Sequence, residues 1–214
     1  VINLIEDSKY AEITNELRQE LSLWQKEKRD LGLLPESERA MRAEDLGITL
    51  YELAQNPDAY DLDAFLEASD FALQRDAKNF AQLNLFLQSK DSGIRYWGVI
   101  GLLLLDEKTT QVVEELRKVL TDQSHSVQAM AAYALHISGE TNLARKTLLD
   151  LLHQESHATL LVLNIIAWLN EDPAYFQDAI QGTKNQQLKP YVQKMKGNLS
   201  FYTKNCDKKG ERKL

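Results

Sequence analysis

At 214 residues, with 43% hydrophobic content and a net charge of −7, the chain is long enough to bury a core as one domain, or as one domain with an appendage. Its acidity excludes a duplex nucleic-acid binder, because such binding is driven by phosphate neutralisation. The charge is uneven: residues 46–183 carry 9 basic and 19 acidic side chains, whereas residues 184–214 carry 9 and 2.

The chain opens at Val1 with no recognisable signal peptide, which reads as a processed product or a piece of something longer. Asp7 and Ser8 offer helix caps. Over residues 7–29, Tyr10, Ile13, Leu17, Leu21 and Trp24 then recur at spacings of 3 and 4, which predicts one long helix with an apolar stripe. Such a stripe needs a cover. Tyr10, Ile13, Leu17, Leu21 and Trp24 therefore read as a docking helix that faces a module upstream of Val1; where that module is absent the stripe is expected to fold back on residues 36–75, with a dimer through this helix as a further option and a mobile helix as the remaining alternative. Asp30-Leu31-Gly32-Leu33-Leu34-Pro35 supplies the stop, with glycine and then proline ending the helix. Residues 36–60 read as a connector with short helical turns, and Asn56-Pro57-Asp58 as a turn within it.

From Leu62 the helical pattern resumes, with Leu62, Phe65, Leu66, Ser69 and Leu73 on one face and Asp61 or Asp63 as cap. An internal repeat follows. Leu87-Gln-Ser-Lys-Asp-Ser-Gly-Ile94 recurs 33 residues later as Leu120-Thr-Asp-Gln-Ser-His-Ser-Val127, and a third copy begins at Leu152 after 32 more. That period marks helical hairpins that bury their apolar faces against neighbouring hairpins. The predicted pairs are 79–90 with 92–105, 109–121 with 126–138, and 141–154 with 158–170. Leu87, Ile94, Leu120, Val127 and Leu152 are the repeat-equivalent core positions. In the second pair, Val112, Val113, Leu116, Val119 and Leu120 form one apolar face, and Val127, Met130, Ala131, Ala134 and Leu135 the other. Gly98, Gly101, Ala131, Ala132 and Ala134 are read as close-approach points.

The apolar run at 160–169 is broken by Asn164 and is half the roughly 20 residues of a bilayer span, so it predicts a buried helix and no membrane segment. A degenerate fourth pair is expected over 173–202, around Pro190. The fold class is therefore all-α, an α-α superhelix of hairpins stacked with a right-handed turn. The divisions are 1–35 for the first helix and its linker, 36–60 for the connector, 61–203 for the array and 204–214 for a basic, disordered tail.

No candidate chemistry outweighs its structural alternative. His153 and His157 have the spacing of a helical metal pair, but the repeat register places a helix boundary between them, and no third ligand is close. His125 and His157 share a repeat position and read as polar turn residues. Arg95 has the fork to grip an anion, yet a lone arginine is a weak site; pairing with Asp91 or Asp122 is the expected role. Tyr96, Trp97 and Trp168 at helical positions read as core before they read as a sugar platform. Asn164 is expected to brace a loop with its amide. Glu114 with Glu115, and Asp61 with Asp63, are ordinary pairs on an acidic surface, since no nucleophile converges on them. The lone Cys206 cannot form an internal disulfide. No catalytic residue, metal or cofactor is assigned.

Two groups of residues carry a resemblance to known proteins. Asp91-Ser-Gly-Ile94-Arg95-Tyr96-Trp97-Gly98 resembles the D-x-x-V-R-x-x-A core of short HEAT-like repeats. Asn3-Leu4, Tyr10-Ala11-Glu12-Ile13, Leu17-Arg18-Gln19-Glu20-Leu21, Trp24 and Asp30-Leu31-Gly32-Leu33-Leu34-Pro35-Glu36 resemble the C-terminal end of bacterial formylglycine-dependent sulfatases, in which the last helix of the catalytic module runs through such a linker into an appended HEAT-like array. The resemblance spans residues 1–170. It implies a catalytic module upstream of Val1 that hydrolyses sulfate esters, with the present chain as its non-catalytic C-terminal part. The family nucleophile lies in C/S-x-P-x-R, and Leu33, Gln55, Glu171 and Leu188 stand two residues before the four prolines. None of the family's catalytic or metal residues carries over. The implied partners are the upstream module, within the same polypeptide, and a protein or sulfated glycan; the implied setting is periplasmic, cell-surface or secreted. An independent HEAT-repeat interaction scaffold is the alternative.

Overall fold

The computed structural model describes residues 3–5, 7–105, 108–154 and 156–169. Among these the protein is all-α: α1 (Ala11–Lys28), α2 (Glu36–Leu46), α3 (Leu50–Gln55), α4 (Leu62–Leu73), α5 (Phe80–Phe86), α6 (Ser92–Leu104), α7 (Thr110–Val119), α8 (His125–Ile137), α9 (Thr141–Gln154) and α10 (Thr159–Leu169), with single 3-10 turns at Ser8–Tyr10, Leu31–Leu33 and Ala77–Asn79. The expected fourth pair over 173–202 and the tail at 204–214 lie outside the described residues. Contacts among the described residues gather into two compact units, divided between Gly101 and Leu102 inside α6.

In the first unit, side-chain caps set the starts of α3, α4 and α6 and of the 3-10 turn before α1, whereas α1, α2 and α5 begin without one. Asp7 accepts from Lys9 N at 3.0 Å and Asp61 from Ala64 N at 3.2 Å. Thr49 and Glu52 exchange bonds in a capping box at the start of α3. The Thr49 backbone N–H, and then its hydroxyl, hold the Glu52 carboxyl below its ordinary range. The stop after α1 differs from the expected one. Arg29, not Gly32, takes the left-handed conformation, at φ 53°, while Gly32 sits in the 3-10 turn that follows. An L-residue there is strained, and the side chain supplies compensation: Arg29 Nε donates to the Ala54 carbonyl at 2.8 Å and its Nη2 to Tyr60 O at 3.5 Å.

The stretch read as a connector holds two helices. Pro35 precedes α2, and Gly47, at φ 65°, ends it in the position where only glycine escapes a Cβ penalty. This stretch feeds the core directly, since Leu34, Ala43, Leu53 and Tyr60 pack with Leu62, Phe65, Ala68 and Ile94. The buried face of α4 is Leu62, Phe65, Ala68, Ser69 and Ala72, whereas Leu73 is exposed. The small residues Ala68 and Ala72, not the leucine, let α4 approach its neighbours. Gly98 and Gly101 do mark close approaches: a Cβ on Gly98 would lie 3.1 Å from both Leu83 O and Leu87 N, and one on Gly101 would run into the Leu83 side chain.

The second unit follows the predicted hairpins within a residue or two. Thr109 caps α7 by accepting from Val112 N, and Ser124 caps α8 by accepting from Val127 N, both at 3.3 Å. Gly139, at φ 94°, lies just beyond the end of α8. Helix α8 lies against α7, α9 and α10, and Ala129, Ala131, Ala132 and Ala134 are each fully buried on it. Around this alanine-lined helix Leu148, Leu151, Leu152, Val162, Leu163, Ile165 and Ile166 close the core. Each such aliphatic side chain contributes about 1.5–3 kcal/mol by leaving water.

Candidate interaction surface

The repeat-equivalent positions are not equally deep. Ile94, Val127 and Leu152 are buried, whereas Leu87 and Leu120 are only partly so. Leu120 packs on the edge of the α8–α10 core, and Leu87 lies beside Gly98. Repeat symmetry in sequence thus becomes a core position in one hairpin and a rim position in another.

Residues considered for chemistry are mostly occupied structurally. Arg95 Nη1 donates to the carbonyls of Ser89 at 2.9 Å and Lys90 at 3.0 Å. The Asp91 carboxylate, offered as its partner, is gripped at both oxygens by Arg42, Nη1 to Oδ2 at 2.9 Å and Nη2 to Oδ1 at 2.6 Å. Trp97 Nε1 donates to Leu33 O at 2.7 Å, so this indole anchors the linker. Trp168 lies edge-on to Tyr133 at 6.1 Å with its other side exposed. His153 ends α9 and His157 lies in the turn before α10, as the register required; among the described residues no group of three or more His, Cys, Asp or Glu could hold a metal. Asn164 corrects its expectation. It is exposed on the outer side of α10 and has no buried amide to satisfy. Asp61 caps α4, while Asp63 pairs with Lys26 of α1 at 2.7 Å and Glu115 with Lys118 at 2.7 Å.

What the sequence reading missed is a buried polar knot behind the linker. Glu38 and Arg42 lie one turn apart on α2, with Glu38 only 2% exposed. Ser92 Oγ donates to Glu38 Oε2, and Arg42 also donates to Ser92 Oγ at 3.2 Å and Ala59 O at 2.9 Å. Asp91 meanwhile caps α6, accepting from Gly93 N at 2.7 Å. The Tyr60 hydroxyl donates to Asp30 O at 2.6 Å. Burial, then the nearby Asp30 carboxylate, pushes this phenol far above its usual pKa, against the opposing pull of Arg29, Arg39 and Arg42. The E-x-x-x-R spacing at Glu38 and Arg42 was the available signal.

The linker is therefore fixed and the helix before it is not covered. Tyr10, Ile13, Leu17, Leu21 and Trp24 are all exposed, from 42% at Tyr10 to 64% at Leu17. The stripe does not fold back on residues 36–75. Thr14, Ser22 and Gln25, on the neighbouring flank, are the partly buried residues of α1, and Lys26 pairs with α4. Helix α1 thus rests on a polar edge and turns its apolar face to solvent. No helix among the described residues is long and apolar enough to cross a membrane. No protein-family model, curated protein or solved structure matches the chain.

Proposed function

We propose that this chain is a non-catalytic helical-repeat module that works by contact, with α1 as the element that docks. The observation that carries this reading is the run of five large apolar side chains exposed along one face of α1. A face of that length in water is the kind of patch that marks an interaction site. The occupant we assign to it is the catalytic module of a sulfatase-like parent enzyme, in the same polypeptide. The support is the pattern from Asn3 through Glu36 that resembles the end of such modules. In this reading α1 seats the repeat domain on an enzyme that cleaves sulfate esters of glycans outside the cytoplasm, and the helical units brace it or present a surface to a sulfated glycan or protein. The rigid linker suits a bracing role, since Trp97, Tyr60 and Arg29 hold residues 29–33 by hydrogen bonds. The test is the native polypeptide, sized and sequenced from its source cells, with amide exchange measured along α1 in it and in the 214-residue chain. A longer product containing C/S-x-P-x-R, in which α1 exchanges more slowly, is expected. A native product lacking that motif, or equal exchange in both, would overturn the assignment.

A second reading, an independent protein-interaction scaffold, is favoured by a different patch. Leu46, Leu50 and Tyr51 are exposed together where α2 passes into α3, with Tyr51 at 75%. Substituting Tyr51 would weaken partner binding in this second reading and leave α1 protection unchanged in the first.

A further inference from the structure

We infer that the surface that receives α1 is an apolar groove edged on one side by a row of cations, and that it is not a second copy of this chain. This rests on the docking reading of α1 above and adds the chemistry of its partner. Glu16, Glu20 and Glu27 follow one flank of the stripe, and Glu12 continues the row at i−4 from Glu16. All four are exposed. Glu27 pairs with its neighbour Lys28, while Glu12, Glu16 and Glu20 make no ion pair among the described residues. Like charges one turn apart destabilise a helix, so the row works against α1 until something cationic lies beside it. The opposite flank is different in kind. It carries Thr14, Arg18, Ser22 and Gln25, and of these Thr14, Ser22 and Gln25 are partly covered by the chain itself.

This asymmetry decides between occupants. Two copies of α1 packed stripe to stripe in antiparallel fashion are related by a two-fold axis that sets each glutamate row against the other. Like charges juxtaposed across an interface oppose association. A parallel pair sets each glutamate row against the Thr14–Gln25 flank, where one arginine, Arg18, faces four carboxylates and the chain's own body already occupies space. A partner with leucine-like side chains in the groove and lysines or arginines along one rim satisfies both faces of the helix at once.

The experiment uses the 214-residue chain and three synthetic helical peptides of equal length: leucine-striped with a lysine rim, leucine-striped with a glutamate rim, and the lysine peptide with its order scrambled. Binding is read by fluorescence anisotropy. The lysine-rimmed peptide is expected to bind at least about tenfold more tightly than either control, since a tenfold change in affinity needs only about 1.4 kcal/mol. The preference should collapse in about 1 M salt, where charges are screened beyond about 3 Å. Glu16→Lys/Glu20→Lys/Glu27→Lys should reverse it toward the glutamate-rimmed peptide. The milder Glu16→Gln/Glu20→Gln should reduce it, and circular dichroism should confirm that each variant keeps its helix. Leu17→Glu/Leu21→Glu should abolish binding of both striped peptides. If that stripe variant still binds, the docking reading fails. If binding needs the stripe but ignores rim charge, the docking reading stands and the cationic partner is overturned. Light scattering gives the independent check: a monomer is expected, and a dimer dissolved by Leu17→Glu/Leu21→Glu would overturn the proposal in favour of a second copy.

Discussion

Arg42 and Asp91 are 49 residues apart in sequence and joined by two parallel hydrogen bonds of 2.9 and 2.6 Å. The pair fastens α2 to the first turn of α6, and through the capping role of Asp91 it also sets where α6 begins. The arginine side chain is only 15% exposed, and Glu38, at 3.9 Å, is more deeply buried still. Arg42→Ala would take from Asp91 the guanidinium that holds both of its carboxylate oxygens. Removing one partner of a fully buried pair costs about 3–5 kcal/mol; with the Asp91 side chain 30% exposed, urea unfolding should show a loss at or below the lower end of that range. Arg42→Lys should recover little of it, because an ammonium cannot make the bidentate grip. A loss within the usual surface range of roughly 0.5 kcal/mol would mean that the knot contributes no stability.

Gly93 stands two residues after Asp91, in the first turn of α6. A Cβ there would fall 2.6 Å from Phe65 Cζ and 2.7 Å from Leu34 Cδ1, both in fully or almost fully buried side chains. Alanine would gain up to about 1 kcal/mol in helix propensity, but overpacking a closed core costs about 1–3 kcal/mol. Gly93→Ala is therefore expected to lower stability on balance. Phe65→Leu added to it should restore part of the loss by opening the contact, and a double mutant no more stable than Gly93→Ala would place the strain elsewhere.

Helix positions in the second unit were legible because period, caps and apolar faces agree there. Thr109 and Ser124 cap where the repeat register put the turns, and Val127, Met130, Ala131, Ala134 and Leu135 are all buried. Residues 36–60 were harder to read, since α2 is charged along most of its length and its apolar positions are few. Of its buried residues Ser37, Glu38 and Ala43, two are polar, and hydrophobic periodicity is silent about a helix held by ion pairs. Pro35 and Gly47 did bracket it. The α1 stripe was visible in sequence, but exposure was not: periodicity tells which face is apolar, not what lies against it. Asn164 misled for a related reason, since an apolar run with one polar residue reads as buried throughout until the neighbours of α10 show which side faces solvent.

Tyr60 gives the chain an alkaline limit. Its side chain is fully buried and its hydroxyl donates to Asp30 O. Burial raises its pKa above the ordinary tyrosine value of about 10, and burial moves the partly covered Tyr96 in the same direction. The folded state holds these protons more tightly than the unfolded state. Their contribution is complete below about pH 10 and is lost progressively above it, as the unfolded tyrosines ionise while the folded ones cannot. Of the eight tyrosines, Tyr60 and Tyr96 should titrate late and together with loss of helical signal. Phenolate absorbance followed alongside circular dichroism decides this. A single reversible step near pH 10 with the helices intact would overturn it. Tyr60→Phe should flatten the alkaline decline.

The repeat leucines rank themselves by depth. Leu152 is 2% exposed within the α9–α10 core, so Leu152→Ala should cost about 2–5 kcal/mol, the range for a buried leucine that leaves a cavity. Leu120 occupies the equivalent sequence position but packs only against the edge of that cluster. Partial burial forfeits part of the transfer free energy of about 1.5–3 kcal/mol for a whole side chain, so Leu120→Ala should cost roughly 1 kcal/mol. Both substitutions remove the same atoms from the same side-chain type and sit in the same compact unit, so their difference isolates environment from chemistry. Urea unfolding of the two variants in parallel provides the measurement, with equal slopes required before the midpoints are compared. Equal losses would show that the two repeats bury their leucines alike. A larger loss at Leu120 would place the centre of the core at the α7–α8 end of the unit, contrary to the burial of Leu148, Leu151 and Leu152.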